Sequence, residues 1–256
     1  MVVLSPVLTI FYENINQKSD YLNFFSSGEF LSYTKNSVII LFAVLFSTLI
    51  LGGLSAYLVT FYKFIGVNFF KYSLLLSFAI PPYIYAYTLS AFFENFGVAY
   101  SLVSLFSEDL SETFTVKIEP LIGSILSLSL TLFGYVFILT RSTFLNQSRD
   151  LIEVGKSLGF SNVDTLFKII VPSAKPAIFI GLSLVAMETL SDFGTVSFFG
   201  ISTFTTGIYN SWFIFDDLKT ANFLSLFLVF FVLFFFGLES FSRKNIKFFN
   251  SNNSFN

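Results

Sequence analysis

The chain has 256 residues, 54% of them hydrophobic and only 12% charged, with a mean hydropathy of +0.77, a content that suits a bilayer better than water. Its 14 basic and 16 acidic residues give a net charge of -2, which leaves no basic excess for a nucleic-acid backbone. Cysteine and histidine are both absent, which excludes disulfides, zinc, haem and iron-sulfur sites and any imidazole or thiolate chemistry.

In chain order, Met1 to Phe11 is apolar, too short to cross a bilayer and without the basic start of a signal peptide; it reads either as the outer end of a truncated helix over about residues 1–12 or as a short N-terminus lying in the interface, followed by an external connection over about 13–32. Charge-free stretches then separate Lys35 from Lys63, Lys71 from Glu94, Glu119 from Arg141 and Lys219 from Glu239, each close to or above the roughly 20 residues that cross hydrocarbon. A fifth apolar stretch, from Pro176 to Phe199, is interrupted only by Glu188 and Asp192. The expected fold is therefore all-α, a polytopic membrane helix bundle with five full transmembrane helices at about 37–61, 70–93, 120–140, 176–198 and 220–238, besides the partial first one. In the second of these, Pro81-Pro82 frees backbone carbonyls and predicts a kink, either lining a pathway or serving packing alone; Gly52-Gly53 in the first permits close helix approach.

Orientation follows from the connections. Lys63 and Lys71 share one loop, Arg141, Arg149, Lys156, Lys168 and Lys175 another, and Arg243, Lys244 and Lys247 sit in the tail over about 242–256. All fall on one side, which the bias of Lys and Arg makes cytoplasmic, while acids such as Glu94, Glu119, Asp216 and Asp217 crowd the other.

The longest cytoplasmic connection, about 148–175, has helical order of its own. An amphipathic stretch from Arg149 to Leu158 ends at Gly159, suited to a left-handed C-terminal cap, and Ser161 opens a second helix. There Val163, Leu166, Phe167 and Ile170 keep i, i+3, i+4, i+7 spacing, Asp164 and Lys168 pair on the other face, and Pro172 and Pro176 are expected to stop the helix. Such a knob serves a soluble partner or lies on lipid headgroups.

Glu153-Val154-Gly155, Gly159 and Ile169-Ile170-Val171-Pro172 resemble the EAA loop of ABC importer permeases, whose pattern is Glu-Ala-Ala, three residues, Gly, nine residues, Ile-x-Leu-Pro. Glu153, Gly159, Ile169 and Pro172 match at the family spacing; Val154, Gly155 and Val171 depart. A second run, Met187-Glu188-Thr189-Leu190-Ser191-Asp192-Phe193-Gly194-Thr195-Val196 with Phe199-Gly200 and Thr203 to Tyr209, resembles ferric-iron permeases, and the chain is similar to the first half of their double-length forms. The resemblance implies a type I importer permease domain over about 33–241, in which Glu153, Gly159, Val163, Leu166, Phe167, Ile170 and Pro172 couple to a cytoplasmic ATPase dimer. It also implies a second permease half, a periplasmic substrate-binding protein and an inner (plasma) membrane location in a bacterium. No cofactor is expected on this chain, with ATP and Mg on the ATPase.

Gly155-Lys156-Ser157 mimics the end of a phosphate-binding loop, but Asp150 stands where the earlier glycine is required, so nothing supports an enzyme. Glu188 and Asp192, four residues apart, share a helix face, and a carboxylate facing lipid is costly, so both should point into the bundle. Pathway lining and transient contact with a hard cation is one reading; an interhelical bond from Glu188 and a cap from Asp192 before Gly194 is the other. Pro81, Pro82, Glu188 and Asp192 are the candidate pathway residues. Other solutes (thiamine, a phosphonate, a polyamine), an ATP-independent carrier or channel, and a purely structural membrane protein are the alternatives.

Overall fold

A computed structural model describes residues 8–12, 28–94, 96–106 and 117–244, and among these it contains helices and turns but no strand. In order the elements are α1 (Gly28–Phe61), α2 (Val67–Ser73) with a 3-10 turn (Leu74–Ala79), α3 (Pro82–Phe93), α4 (Val98–Ser104), α5 (Pro120–Ser157) and α6 (Asn162–Thr165). A π-turn (Leu166–Ile170) leads into α7 (Val171–Ser191), followed by α8 (Gly194–Phe198), α9 (Phe204–Tyr209), a second π-turn (Asn210–Ile214) and α10 (Leu218–Lys244). Among the described residues, four stretches are long and apolar enough to cross a membrane, Gly28–Phe61, Pro120–Asn146, Leu166–Ser191 and Leu218–Gly237. The bent pair Val67–Ala79 and Pro82–Ser104 raises this to five if it counts as one span.

That pair bends at the expected Pro81-Pro82 kink, but far enough to break the span over about 70–93 into two helices whose arms meet at 99°. The cause is local, since each proline pushes the residue before it out of the α region. Ile80 is extended ahead of Pro81 (φ -109°, ψ 115°), Pro81 is extended ahead of Pro82 (φ -58°, ψ 141°), and Pro82 opens α3.

α5 is the central post, and glycines set its neighbours' distance. Fully buried Val136 lies between two of them: a Cβ on Gly52 of α1 would sit 2.8 Å from the Val136 Cβ, and one on Gly181 of α7 3.0 Å from its Cα. Gly53 meets nothing within 4 Å, so only the first glycine of that pair serves packing. Apolar side chains gain little by leaving lipid for protein, so association in a bilayer rests on such close approach. The helix directions follow from the contacts. Phe61 near the end of α1 packs on Phe144 of α5 at 5.4 Å between centroids, while Gly52 meets Val136, so α1 and α5 run parallel. α7 runs antiparallel to α5, for Thr165, Gly181 and Phe199 meet Gly155, Val136 and Gly123 in turn.

The basic connections thereby gather at one end. Phe61, Val67, Phe144 and Ile170, each next to a Lys- or Arg-bearing segment, belong to one apolar cluster. At the opposite end Glu94 and Lys117 line one cavity of about 420 Å³. Aromatic and aliphatic side chains such as Phe42, Phe46, Phe230 and Phe234 are exposed on the outward faces of α1 and α10, where a bilayer would meet them.

Three further boundaries differ from expectation. α5 does not end near residue 140 but runs 38 residues to Ser157, so the amphipathic stretch from Arg149 is its continuation. The span expected at 176–198 begins earlier and stops at Ser191, because the chain turns extended at Asp192 (ψ 127°). α1 begins at Gly28, ahead of the expected start near 37. Residues 1–7 and 13–27, where most of the truncated helix and its connection were expected, and the tail beyond residue 244 lie outside the described residues.

Candidate functional site

At the end that carries the basic connections, α5 closes as the sequence suggests. Gly159 has φ +75°, and the Phe160 N–H donates to the Gly155 carbonyl at 3.0 Å, the outer bond of a Schellman termination. Ser161 accepts the Asp164 N–H at 3.1 Å and donates to the Asp164 carboxylate at 2.6 Å, closing the first turn of α6. Asp164 also pairs with Lys168 at 2.7 Å, and the Lys168 ammonium lies 5.0 Å from the Phe160 ring centroid. The Lys168 ammonium, then the Ser161 hydroxyl, hold the Asp164 carboxyl below its ordinary range.

Gly155, one of the departures from the family pattern, has a geometric reason. A Cβ there would lie 2.5 Å from Thr165 Oγ1 and 2.6 Å from Thr165 Cγ2, so the missing side chain lets α6 fold back against α5.

The expected docking face is divided. Ile170 is 4% exposed and lies inside the cluster with Phe137, Phe144 and Ala174, and Leu166 packs against the same cluster. Both therefore hold the hairpin to the bundle, and Ile170 is not available to a partner. Phe167 is 65% exposed and Leu158 61%, so these are the apolar groups the hairpin offers outward, with Glu153 and Gly159 also exposed. The side chain of Val163 lies outside the described residues.

Pro172 does not stop the helix, contrary to expectation, and Pro176 lies inside α7. A proline cannot donate to the carbonyl four residues back and its ring crowds that carbonyl. Here the preceding turn is widened: the Val171 N–H reaches the Leu166 carbonyl, five residues back, and the Ser173 hydroxyl donates to the Ile170 carbonyl at 2.7 Å. The hairpin is thus joined to α7 without a break.

At the outer half, Glu188 is exposed on α7 and faces the Tyr135 hydroxyl of α5. The Tyr135 ring meets Phe78 edge-on at 4.7 Å, two residues before the extended Ile80. A Cβ on Gly134 would come within 2.6 Å of Ser77 Oγ, so the bent pair sits directly on α5 beside the carboxylate. Above it, Tyr83, Ile84, Tyr87, Phe193, Gly194, Ser197 and Phe198 line an open groove of about 460 Å³. Pro81 is exposed and Pro82 half-buried at the base of α3, whose Tyr83 and Tyr87 contribute to that groove.

Asp192 has a different occupation. Its carboxylate accepts the N–H of Thr195 at 3.0 Å, that of Val196 at 3.2 Å and the Thr195 hydroxyl at 3.1 Å, closing the first turn of α8. The Thr205 hydroxyl donates to its carbonyl at 2.7 Å. The geometry thus matches the capping alternative for Asp192, while the exposed Glu188 carboxylate meets the Tyr135 hydroxyl of α5, as its interhelical alternative expects. Tyr135 and Thr165 were not singled out by sequence reasoning, which saw Gly155 only as a departure from the family pattern; a lone tyrosine beside a glycine inside an apolar span was the available signal for the first.

Residues 48–245 match the family described as "Binding-protein-dependent transport system inner membrane component", and the chain belongs to that family. It is thus an integral membrane protein of the ABC transporter permease class. It is 29% identical over 190 residues to the Fe(3+)-transport system permease protein FbpB 2 of Haemophilus influenzae, covering 74% of this chain and 33% of that one. It is also 29% identical over 147 residues to the probable sulfate transport system permease protein cysT of Chlorella vulgaris, covering 57% and 53%. The chain therefore spans about a third to a half of the length of these relatives. Among solved structures, a bacterial ABC transporter involved in the import of the acidic polysaccharide alginate superposes with a TM-score of 0.73 at 15% identity, over 95% of this chain and 90% of that one. The alginate transporter in complex with its pentasaccharide-bound periplasmic protein superposes at 0.68, over 94% and 86%, also at 15% identity.

Proposed function

We propose that this chain forms one wall of the translocation pathway of an ABC importer for ferric iron in a bacterial plasma membrane. In this reading a second permease half supplies the other wall, a periplasmic binding protein delivers the substrate, and a cytoplasmic ATPase dimer hydrolyses Mg-ATP. Coupling uses the hairpin from Glu153 to Pro172, with Phe167 inserting into the ATPase and Gly159 and Glu153 shaping the docking surface. Leu166, Ile170 and Pro172 carry the movement into α7, because the hairpin and α7 are continuous. Val163 belongs to the same docking reading.

The observation that supports iron is Glu188. An exposed carboxylate in the outer half of a membrane helix, even one that meets a tyrosine hydroxyl, attracts a cation and repels a dianion such as sulfate; at 4 Å and an effective dielectric of 20 the interaction is about 4 kcal/mol per unit charge. Oxygen donors also suit a hard trivalent ion. The aromatic groove favours a second reading, an organic cation such as thiamine or a polyamine, held over the faces of Tyr83, Tyr87 and Phe193.

The test is uptake of radiolabelled ferric iron, sulfate and thiamine by proteoliposomes holding the chain with its ATPase, binding protein and second half. Ferric uptake that falls at least tenfold in Glu188→Gln, with assembly and ATPase binding retained, is the expected result. Sulfate uptake by the wild type sinks the cation reading, and normal ferric uptake by the variant removes the charge from the mechanism.

A further inference from the structure

The break between α7 and α8 encloses a small polar cavity against α1. Its wall includes Ser37, Thr189, Asp192, Thr203 and Thr205, and it leaves about 10 Å³ of room for the centre of a water molecule, which is one water and no more. Most of its polar atoms are committed. Ser37 Oγ accepts the Phe204 N–H at 3.2 Å, the Thr203 and Thr205 hydroxyls share a bond at 3.0 Å, and the Asp192 carboxylate serves the first turn of α8.

Thr189 is the exception. Some buried hydroxyls of α1 and α5 turn back onto their own backbone (Thr48 to the Val44 carbonyl at 2.8 Å, Ser127 to Gly123 at 2.8 Å, Thr131 to Ser127 at 2.8 Å), while Thr60, Ser124, Ser129 and Thr140 have no protein partner; what sets Thr189 apart is that it lines a polar cavity. The Thr189 side chain is 7% exposed, its hydroxyl has no protein partner, and it lines the cavity. A buried hydroxyl without a partner costs about 1–3 kcal/mol, which a fold avoids when a polar site for a bridging molecule stands beside it.

We infer that this cavity is a binding site for a single structural water that accepts from the Thr189 hydroxyl and donates to the Asp192 carboxylate and the Ser37 oxygen. A carboxylate keeps lone pairs free after three bonds, and a hydroxyl oxygen that accepts one N–H can take a second proton. The site joins three pieces that otherwise meet through few bonds: α1 at Ser37, the last turn of α7, and the segment from Asp192 to α9. It also sits one residue from Glu188, so the water holds the end of the helix that carries the exposed carboxylate. A sodium ion has similar size, but the carboxylate's commitment to three donors and the presence of one unshared hydroxyl favour a neutral ligand that both donates and accepts.

The experiment uses the full chain in lipid nanodiscs, with Thr189→Val, which keeps the shape and removes the hydroxyl, and Thr189→Ser, which keeps the hydroxyl. With the water in place, Thr189→Val loses a bond and strands the water, lowering Tm by roughly 2–4 °C, while Thr189→Ser stays closer to the wild type. An unchanged or raised Tm in Thr189→Val overturns the site, because removing a hydroxyl that had no partner relieves a cost. Replacing sodium chloride by choline chloride is expected to leave the wild-type Tm unmoved; a fall specific to sodium removal overturns the water in favour of the ion. If Thr189→Val fails to assemble, a map of the wild type at about 2 Å decides, with density within hydrogen-bond distance of Thr189 Oγ1 and Asp192 supporting the site and an empty cavity refuting it.

Discussion

The two ends of the α5–α7 pair solve the same problem, turning a helix out of a membrane bundle, by opposite chemistry. At the end with the basic connections the turn is made by absence of side chain: Gly155 lets Thr165 approach, Gly159 supplies a left-handed residue, and apolar Phe144 and Ile170 fill the space. At the outer end it is made by oxygen: Asp192 serves the α8 amides, Thr206 Oγ1 accepts the Thr203 N–H at 2.7 Å, Ser37 serves Phe204, and Asn36 donates to the Ser202 carbonyl at 2.9 Å. The difference teaches how each end can move. The inner hairpin is continuous with α7, so a shift of one is expected to carry the other, whereas the outer turn is bonded to α1 by contacts that must exchange before it moves.

The sharpest way to break the contrast is to fill the inner seam. Gly155→Leu drives side-chain atoms into Thr165, and overpacking of this kind costs roughly 1–3 kcal/mol, more where backbone cannot retreat. The expected outcome is a detached hairpin, seen as faster amide exchange over α6 with the α1–α5 core still protected.

Gly159→Val tests conformation alone, because a Cβ there meets nothing within 4 Å while φ is +75°. The cost is about 1–2 kcal/mol, and loss of ATPase-coupled transport with the chain still inserted is the expected readout. At the outer end, Asp192→Ala removes the acceptor of two amides and one hydroxyl and should cost about 1 kcal/mol, visible as a lower Tm with little change in hairpin exchange. A variant that loosens both ends equally would show that they are not separate bodies.

The smallest effect concerns Asp164. Its folded pKa is depressed, chiefly by Lys168, so its contribution to the hairpin is present above the ordinary carboxylate pKa and is lost as pH falls through the lower folded value. Hairpin exchange should therefore rise only under acid conditions, and Lys168→Ala should move that rise toward the ordinary carboxylate range. Because the pair is exposed, global Tm should not follow.

Much of this architecture was legible without coordinates. A charge-free stretch near 20 residues admits few solvents, and alternation of basic and acidic connections orients the helices, because both follow from the cost of charge in hydrocarbon. The left-handed Gly159 and the Ser161 turn were legible for the same reason: they depend on residues next to them in the chain. The docking face was only half legible. Helical spacing places Leu166, Phe167 and Ile170 on one side, yet what lies opposite is set by Phe144 on another helix, so Ile170 is buried and Phe167 is not.

The sequence by itself determined membrane residence, helix polarity, the inner hairpin and the break forced by Pro81-Pro82, since each rests on solvation or on backbone sterics between neighbours. Tertiary structure alone decided that Gly155 serves Thr165, that Glu188 faces Tyr135 and that the Thr189 hydroxyl opens on a cavity, whereas the Asp192 cap, whose donors lie within four residues, was already one of the sequence readings. Those three facts depend on how far apart α1, α5 and α7 stand, and that spacing is set by where Gly52 and Gly181 meet Val136, a coincidence of three helices that no single stretch of chain contains.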